Sequence, residues 1–147
     1  TNVRLHRPIV EKSIFESYFN RQFPVLLPIS AGAEIIKHLE NNLYTVEKDH
    51  CTDFDGFVNK NYKGIESIYA SVHTCNRLNL LIPKILQWLN PYGIAFIKCP
   101  WASVYKVIPH KFYNEDFKLI LLNRVELETA NYSTKFEYLV VKKIYKL

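Results

Sequence analysis

Apolar residues recur at helical spacing in Ile9-Val10, Ile14-Phe15 and Tyr18-Phe19, which predicts an amphipathic helix beginning near Pro8, a residue suited to a first turn. Pro24-Val25-Leu26-Leu27-Pro28-Ile29 then reads as a short buried strand. Ser30-Ala31-Gly32-Ala33-Glu34 reads as a tight turn into a helix from Ile35 to Leu39. A strand is expected from Leu43 to Val46, ending in Glu47-Lys48-Asp49. The polar stretch from His50 to Gly64 holds two of the chain's four glycines and reads mostly as loop, with a poor edge strand around Phe57-Val58.

Alternation from Ile65 to Val72 predicts another strand. Asn76 is placed to cap the following helix, in which Leu80 to Trp88 carries a strong apolar face, with Pro83 expected in its first turn. Asn90-Pro91-Tyr92-Gly93 turns the chain into Ile94 to Lys98, a run apolar enough for a central strand covered on both faces. Trp101 to Phe112 reads as helix or helix plus turn, interrupted at Pro109. Strands from Lys118 to Leu127 and from Phe136 to Ile144, joined by a loop from Glu128 to Lys135, close the chain. Strands alternating with helices and followed by a strand pair predict an α/β fold: a mostly parallel, doubly wound sheet with a C-terminal antiparallel strand pair.

Composition narrows the classes. A chain of 147 residues that is 48% hydrophobic and 22% charged is expected to fold as a single domain over residues 1–147, without disordered segments. Its net charge of +5 favours an acidic partner such as RNA, although the lysines are scattered and approach a cluster only at Lys142-Lys143-Ile144-Tyr145-Lys146. Three cysteines without CxxC spacing argue against a disulfide framework or zinc site and fit a reducing compartment, the cytosol. His38, His50, His73, Cys51 and Cys75 show no ligand spacing, so no metal is expected. There is no P-loop, GxSxG elbow or HExxH motif. The richest apolar run, Leu78 to Leu89, is too short to span a membrane and carries Lys84 and Gln87. A chain that starts at Thr1 and contains no methionine is expected to be a mature cleavage product or a domain of a longer protein.

The order of strand, helix, Asn90-Pro91-Tyr92-Gly93 turn, buried strand, helix and closing strand pair resembles the back half of Rossmann-like methyltransferases, in compact or truncated form. Trp88-Leu89-Asn90-Pro91-Tyr92-Gly93 resembles their "LkPGG" turn, with Tyr92 where the first glycine would stand. Lys98 in Phe96-Ile97-Lys98-Cys99-Pro100 and Glu137 in Lys135-Phe136-Glu137-Tyr138 match the third and fourth members of the Lys-Asp-Lys-Glu tetrad of FtsJ-like RNA ribose 2′-O-methyltransferases. Lys12 matches the first member. The resemblance implies S-adenosylmethionine as cofactor and Lys98 as the lysine assisting deprotonation of a ribose hydroxyl, with Lys12 and Glu137 orienting it or the substrate. Each of the three also has an ordinary explanation as a solvated or structural side chain.

Two positions depart from the family pattern. Where its aspartate would end the fourth strand, Ser71-Val72-His73-Thr74 offers His73 and no carboxylate. The cofactor loop keeps one glycine, in Ser30-Ala31-Gly32-Ala33-Glu34, while Glu47 is expected to end the second strand as the acidic anchor for the cofactor ribose. The expected cofactor contacts are therefore Ser30, Ala31, Gly32, Glu34 and Glu47, and the expected catalytic set is Lys12, His73, Lys98 and Glu137. The implied activity is S-adenosylmethionine-dependent ribose 2′-O-methylation of RNA, with a viral mRNA cap as the expected substrate. The alternative is a catalytically silent module of the same fold that binds RNA or stimulates a partner capping enzyme. Ile97-Lys98-Cys99-Pro100 and the elements after it also resemble the poxvirus capping-enzyme small subunit, whose fold is of this kind.

Overall fold

The computed structural model describes residues 7–29, 33–51, 53–101, 117–128 and 133–144. In chain order the elements are α1 (Arg7–Tyr18), β1 (Val25–Ile29), α2 (Ala33–Asn41), β2 (Val46–Cys51), α3 (Phe54–Val58), β3 (Ile65–Ser71), α4 (Cys75–Trp88), β4 (Leu89–Pro100), β5 (Phe117–Glu128) and β6 (Ser133–Lys143). The strands form one sheet in the order β2-β1-β3-β4-β6-β5. The first four are parallel, and β6 lies antiparallel between β4 and β5. The α/β reading and the C-terminal antiparallel pair agree with this sheet.

Strand alternation divides the apolar residues between two faces. On one face Leu26, Ile68, Ala70, Ala95, Ile97 and Leu139 pack under α3 and α4. On the other, Val25, Leu27, Tyr69, Phe96 and Tyr138 pack under α1 and α2. In α4 the residues that reach the sheet are Leu78, Leu81, Ile82, Ile85 and Trp88, three or four apart, as a single buried stripe requires. Phe96 lies at the centre of the second core, with ring centroids of Phe15, Tyr69 and Tyr138 5.1, 5.0 and 5.2 Å away.

Several boundaries differ from the sequence reading. Leu43 has φ of 67° and belongs to the turn after α2, so β2 begins at Val46 and contains Glu47, Lys48 and Asp49 within it. The expected loop contains α3, whose N-cap Asp53 accepts a 2.7 Å hydrogen bond from the Gly56 amide. No strand forms at Phe57-Val58, because Phe57 is on that helix and fully buried. Helix α4 starts at Cys75, and its cap is Thr74 rather than Asn76. Pro83 consequently lies in the helix interior, where it is exposed and α4 continues through it. The helix expected from Trp101 to Phe112 lies outside the described residues beyond Trp101.

Asp49 ties β2 to the segment before β3. It accepts a 2.5 Å hydrogen bond from Tyr62 and lies 3.6 Å from the Lys60 ammonium. The Tyr62 ring meets Trp88 edge-on at 5.0 Å, and Trp88 Nε1 donates to the Lys60 carbonyl at 3.1 Å. Burial, reinforced by the hydrogen bond to Asp49 and by neighbouring Cys51, pushes the Tyr62 hydroxyl well above the ordinary tyrosine value. A raised pKa favours the folded state while the phenol keeps its proton. That contribution is complete below the unfolded value of about 10 and is lost as the pH rises beyond it.

Tyr92, expected in a turn at the position where the resemblance would place glycine, lies instead near the start of β4, and its φ is 66°, in the left-handed region. A side chain there costs about 1 kcal/mol. At Gly93 an added Cβ would lie 2.9 Å from the carbonyl oxygens of both Asn90 and Ile65. Urea unfolding is therefore expected to show Tyr92→Gly stabilised by about 0.5–1 kcal/mol and Gly93→Ala destabilised by about 1–3 kcal/mol. For Tyr62→Phe, stability is expected to fall at neutral pH but to decline less steeply than in the parent above about pH 10. Equal alkaline slopes would remove the assignment to Tyr62.

Candidate functional site

The order of the parallel strands locates a crevice. From β1 the chain crosses to β2 on one side, and from β3 it crosses to β4 on the other, so the connections diverge between β1 and β3. In open α/β sheets, ligands bind outside the carboxyl ends of the strands at such a divergence. Here that edge carries Ile29 at the end of β1, Asp53 after β2, His73 and Thr74 after β3, and Lys98 to Trp101 at the end of β4. Since β6 is antiparallel, its beginning reaches the same edge, with Phe136 paired to Pro100. Thr74 caps α4 by accepting from the Arg77 amide at 3.1 Å, which brings the positive end of that helix to the crevice.

The expected catalytic residues separate when placed on this frame. His73 is exposed two residues beyond β3. Lys98 pairs with Ser71 of β3 and is half-buried on the α1/α2 face, with its ammonium 4.6 Å from the Phe136 ring centroid. Glu137 pairs with Cys99, the residue after Lys98, so alternation turns it to the α4 face, where it is fully buried. Lys12 is exposed and lies 4.0 Å from Glu16, one helical turn along α1. Lys98 and His73 thus share the carboxyl edge, Glu137 points to the opposite face from Lys98, and Lys12 faces away from the sheet. On α1, Glu11 turns inward beside Ile14 and Phe15; it is 3% exposed and accepts a 2.6 Å hydrogen bond from Tyr138. Tyr138 is the cross-strand partner of Lys98. Glu11 was legible in the sequence, because it falls on the stripe of Ile14, Phe15 and Tyr18.

The cofactor expectations divide in the same way. Ser30, Ala31 and Gly32 lie outside the described residues; Glu34 is in the first turn of α2, and its side chain lies outside them too. Glu47 is not at the carboxyl end of β2. It pairs with Leu26, one residue into β1, and borders a cleft of about 330 Å³ with Phe23, Lys63, Glu66 and Asn90 at the opposite edge of the sheet. The earlier predicted start of β2 had displaced it. The carboxylates nearer the carboxyl end are Asp49, engaged by Tyr62 and Lys60, and Asp53, which is exposed and commits Oδ1 to capping α3. Asp53 therefore fits an acidic anchor for ribose hydroxyls at this edge better than Glu47 does. Its signal in the sequence was the capping pattern Asp53-Phe54-Asp55-Gly56. Among the described residues no group of three or more His, Cys, Asp or Glu could hold a metal ion. No described helix is long and apolar enough to cross a membrane.

No protein-family model matches the chain, and no curated protein matches its sequence. Solved structures do match. A Streptococcus mutans protein described as a methyltransferase and crystallised with SAH aligns at TM-score 0.59 and 14% identity, over 95% of this chain and 99% of that one. TrmN from Thermus thermophilus aligns at TM-score 0.65 and 13% identity over 93% of this chain, which spans only 49% of TrmN. An rRNA methylase from Streptococcus thermophilus aligns at TM-score 0.53 and 14% identity, over 97% of this chain and all of that one. At these identities the likeness establishes architecture and leaves activity to the site. The chain has the Rossmann-like fold of the class I S-adenosylmethionine-dependent methyltransferases.

Proposed function

We propose that the chain binds S-adenosylmethionine at the carboxyl edge between β1 and β3 and methylates RNA. The observation that carries this reading is the divergence of connections at that crevice, with Asp53 and the capped start of α4 at the same edge of the sheet. Asp53 would hold the cofactor ribose, and the small residues Ser30, Ala31 and Gly32 would let the backbone approach closely. Bound there, the cofactor supplies an electrophilic methyl group. RNA as substrate is supported by the basic charge of +5 and by the likeness to an rRNA methylase.

Ribose 2′-O-methylation is the finer reading, with Lys98 as the group at the reacting edge. A hydroxyl nucleophile has to lose its proton as its oxygen bonds to the methyl carbon, and Lys98 Nζ would accept it in the amine form. The Lys98 ammonium lies against the Phe136 ring in a cation–π contact, so the local geometry also suits Lys98 to neutralising charge on the reacting nucleotide. His73, on the same edge, is another group able to take a proton there. Glu137 and Lys12 would act at most through the scaffold. A viral cap as the substrate, the cytosol as location and a capping-enzyme partner belong to this finer reading.

A silent module is the second reading, favoured by the dispersal of Lys12, Lys98 and Glu137 over different faces. Calorimetric titration with SAH separates the two. Asp53→Asn, which preserves the helix cap but removes the charge, is expected to weaken binding at least about 10-fold, a loss of about 1.4 kcal/mol. Glu47→Ala at the far edge is expected to leave affinity within about twofold of the parent, the range of a distant surface substitution. Absence of binding at millimolar SAH would leave the silent module as the account. If SAH binds, Lys98→Ala is expected to lower methyl transfer to RNA by about 100-fold or more, and unchanged transfer would exclude Lys98 from the chemistry.

A further inference from the structure

We propose that the tip of the β4–β6 pair is a stacking ledge for single-stranded RNA, centred on Trp101 and flanked by Lys135 and Lys98. This inference rests on the reading of RNA as the substrate and states where the strand would lie.

The two tryptophans make opposite use of their surfaces. Trp88 is 2% exposed, with its indole N–H satisfied, whereas Trp101, the residue after β4, is 38% exposed. The pairing of Pro100 with Phe136 brings Trp101 opposite Lys135, whose ammonium lies 5.5 Å from the indole centroid. On the other face of the tip, the Lys98 ammonium lies 4.6 Å from the Phe136 centroid. Two cations and an exposed π-surface thus fall within a few residues of each other, at the edge where the proposed reaction takes place.

The remaining exposed large apolar side chains lie elsewhere among the described residues. Phe23 and Leu43 precede β1 and β2 and Tyr92 is near the start of β4, all at the amino edge, and Leu80 is on α4. Among the described residues Trp101 therefore stands apart from a broad apolar patch of the kind that a protein partner would cover. Its setting matches the two needs of single-stranded nucleic acid: a flat ring for a base to stack on, and positive charge for the adjoining phosphates. A duplex buries its base faces in its own stack and would leave the indole unused.

The test is a fluorescence titration of the full chain with a short oligoadenylate, run at two salt concentrations and beside a calorimetric titration with SAH. Trp101 emission is expected to be quenched saturably in the parent. Trp101→Phe should lose that quench while keeping most of the affinity. Trp101→Ala should bind about 10-fold more weakly, and Lys135→Ala should reduce the slope of log affinity against log salt by about 0.7. All three variants change an exposed side chain, Trp101 or Lys135, so unchanged thermal midpoints are expected to exclude misfolding. Parent-like oligonucleotide affinity in Trp101→Ala and Lys135→Ala would overturn the ledge and leave RNA binding elsewhere on the surface. No oligonucleotide binding by a parent that binds SAH would overturn the ledge and the RNA reading together, leaving a methyltransferase with another substrate.

Discussion

From Ala95 to Ile97, strand β4 has no solvent face. Phe96 is enclosed by the rings of Phe15, Tyr69 and Tyr138 on one side, and adjacent Ile97 packs among the α4 contacts on the other. Two buried neighbours of opposite orientation leave the strand only one register, because a slip by one residue would exchange the two cores. That register sets Lys98 beside Ser71 and Tyr138, Cys99 beside Glu137, and Pro100 beside Phe136. The chemistry available at the carboxyl edge is thus a consequence of packing in the middle of the sheet.

The same constraint explains why an ordered set of family-like residues does not assemble. Lys98 and Glu137 stand one register step apart, and on a pleated sheet one step means opposite faces. What meets Tyr138 on the Lys98 face is Glu11, carried there by α1. A match of residue types along the sequence is blind to this parity, since it records order and spacing while orientation depends on the partner strand. The shared architecture with methyltransferases and the altered constellation are compatible, because a fold positions loops and edges and leaves the identity of their side chains free.

The sheet was legible where burial alone decides structure. Ile94 to Lys98 reads as a central strand because it is almost entirely apolar, and α1 follows from the spacing of Ile14, Phe15 and Tyr18. Reading failed where polar residues carry structure through particular bonds. Asp53 starts a helix in a segment that looks like loop, since a single capping bond and the burial of Phe54 and Phe57 outweigh its glycine and its charges. Strand β2 was misplaced because Glu47, Lys48 and Asp49 resemble a turn. Within the candidate site, Lys98 and His73 could be assigned to the carboxyl edge from sequence, whereas Glu47 inherited the error in β2. The inward orientation of Glu11 needed only the helical stripe, and Trp101 gained significance from a cross-strand neighbour 34 positions away, Lys135.

Those charges in β2 have a use of their own. β2 is an outermost strand, with one line of backbone donors and acceptors open to any extended peptide. Lys48 is 3.5 Å from Glu40, Asp49 is held by Tyr62 and Lys60, and Glu47 is exposed, so ionised side chains occupy three consecutive positions along that border. A second molecule adding a strand there would have to strip water from these groups. The border that is hardest to recognise as a strand is, for the same reason, poorly suited to seeding aggregation.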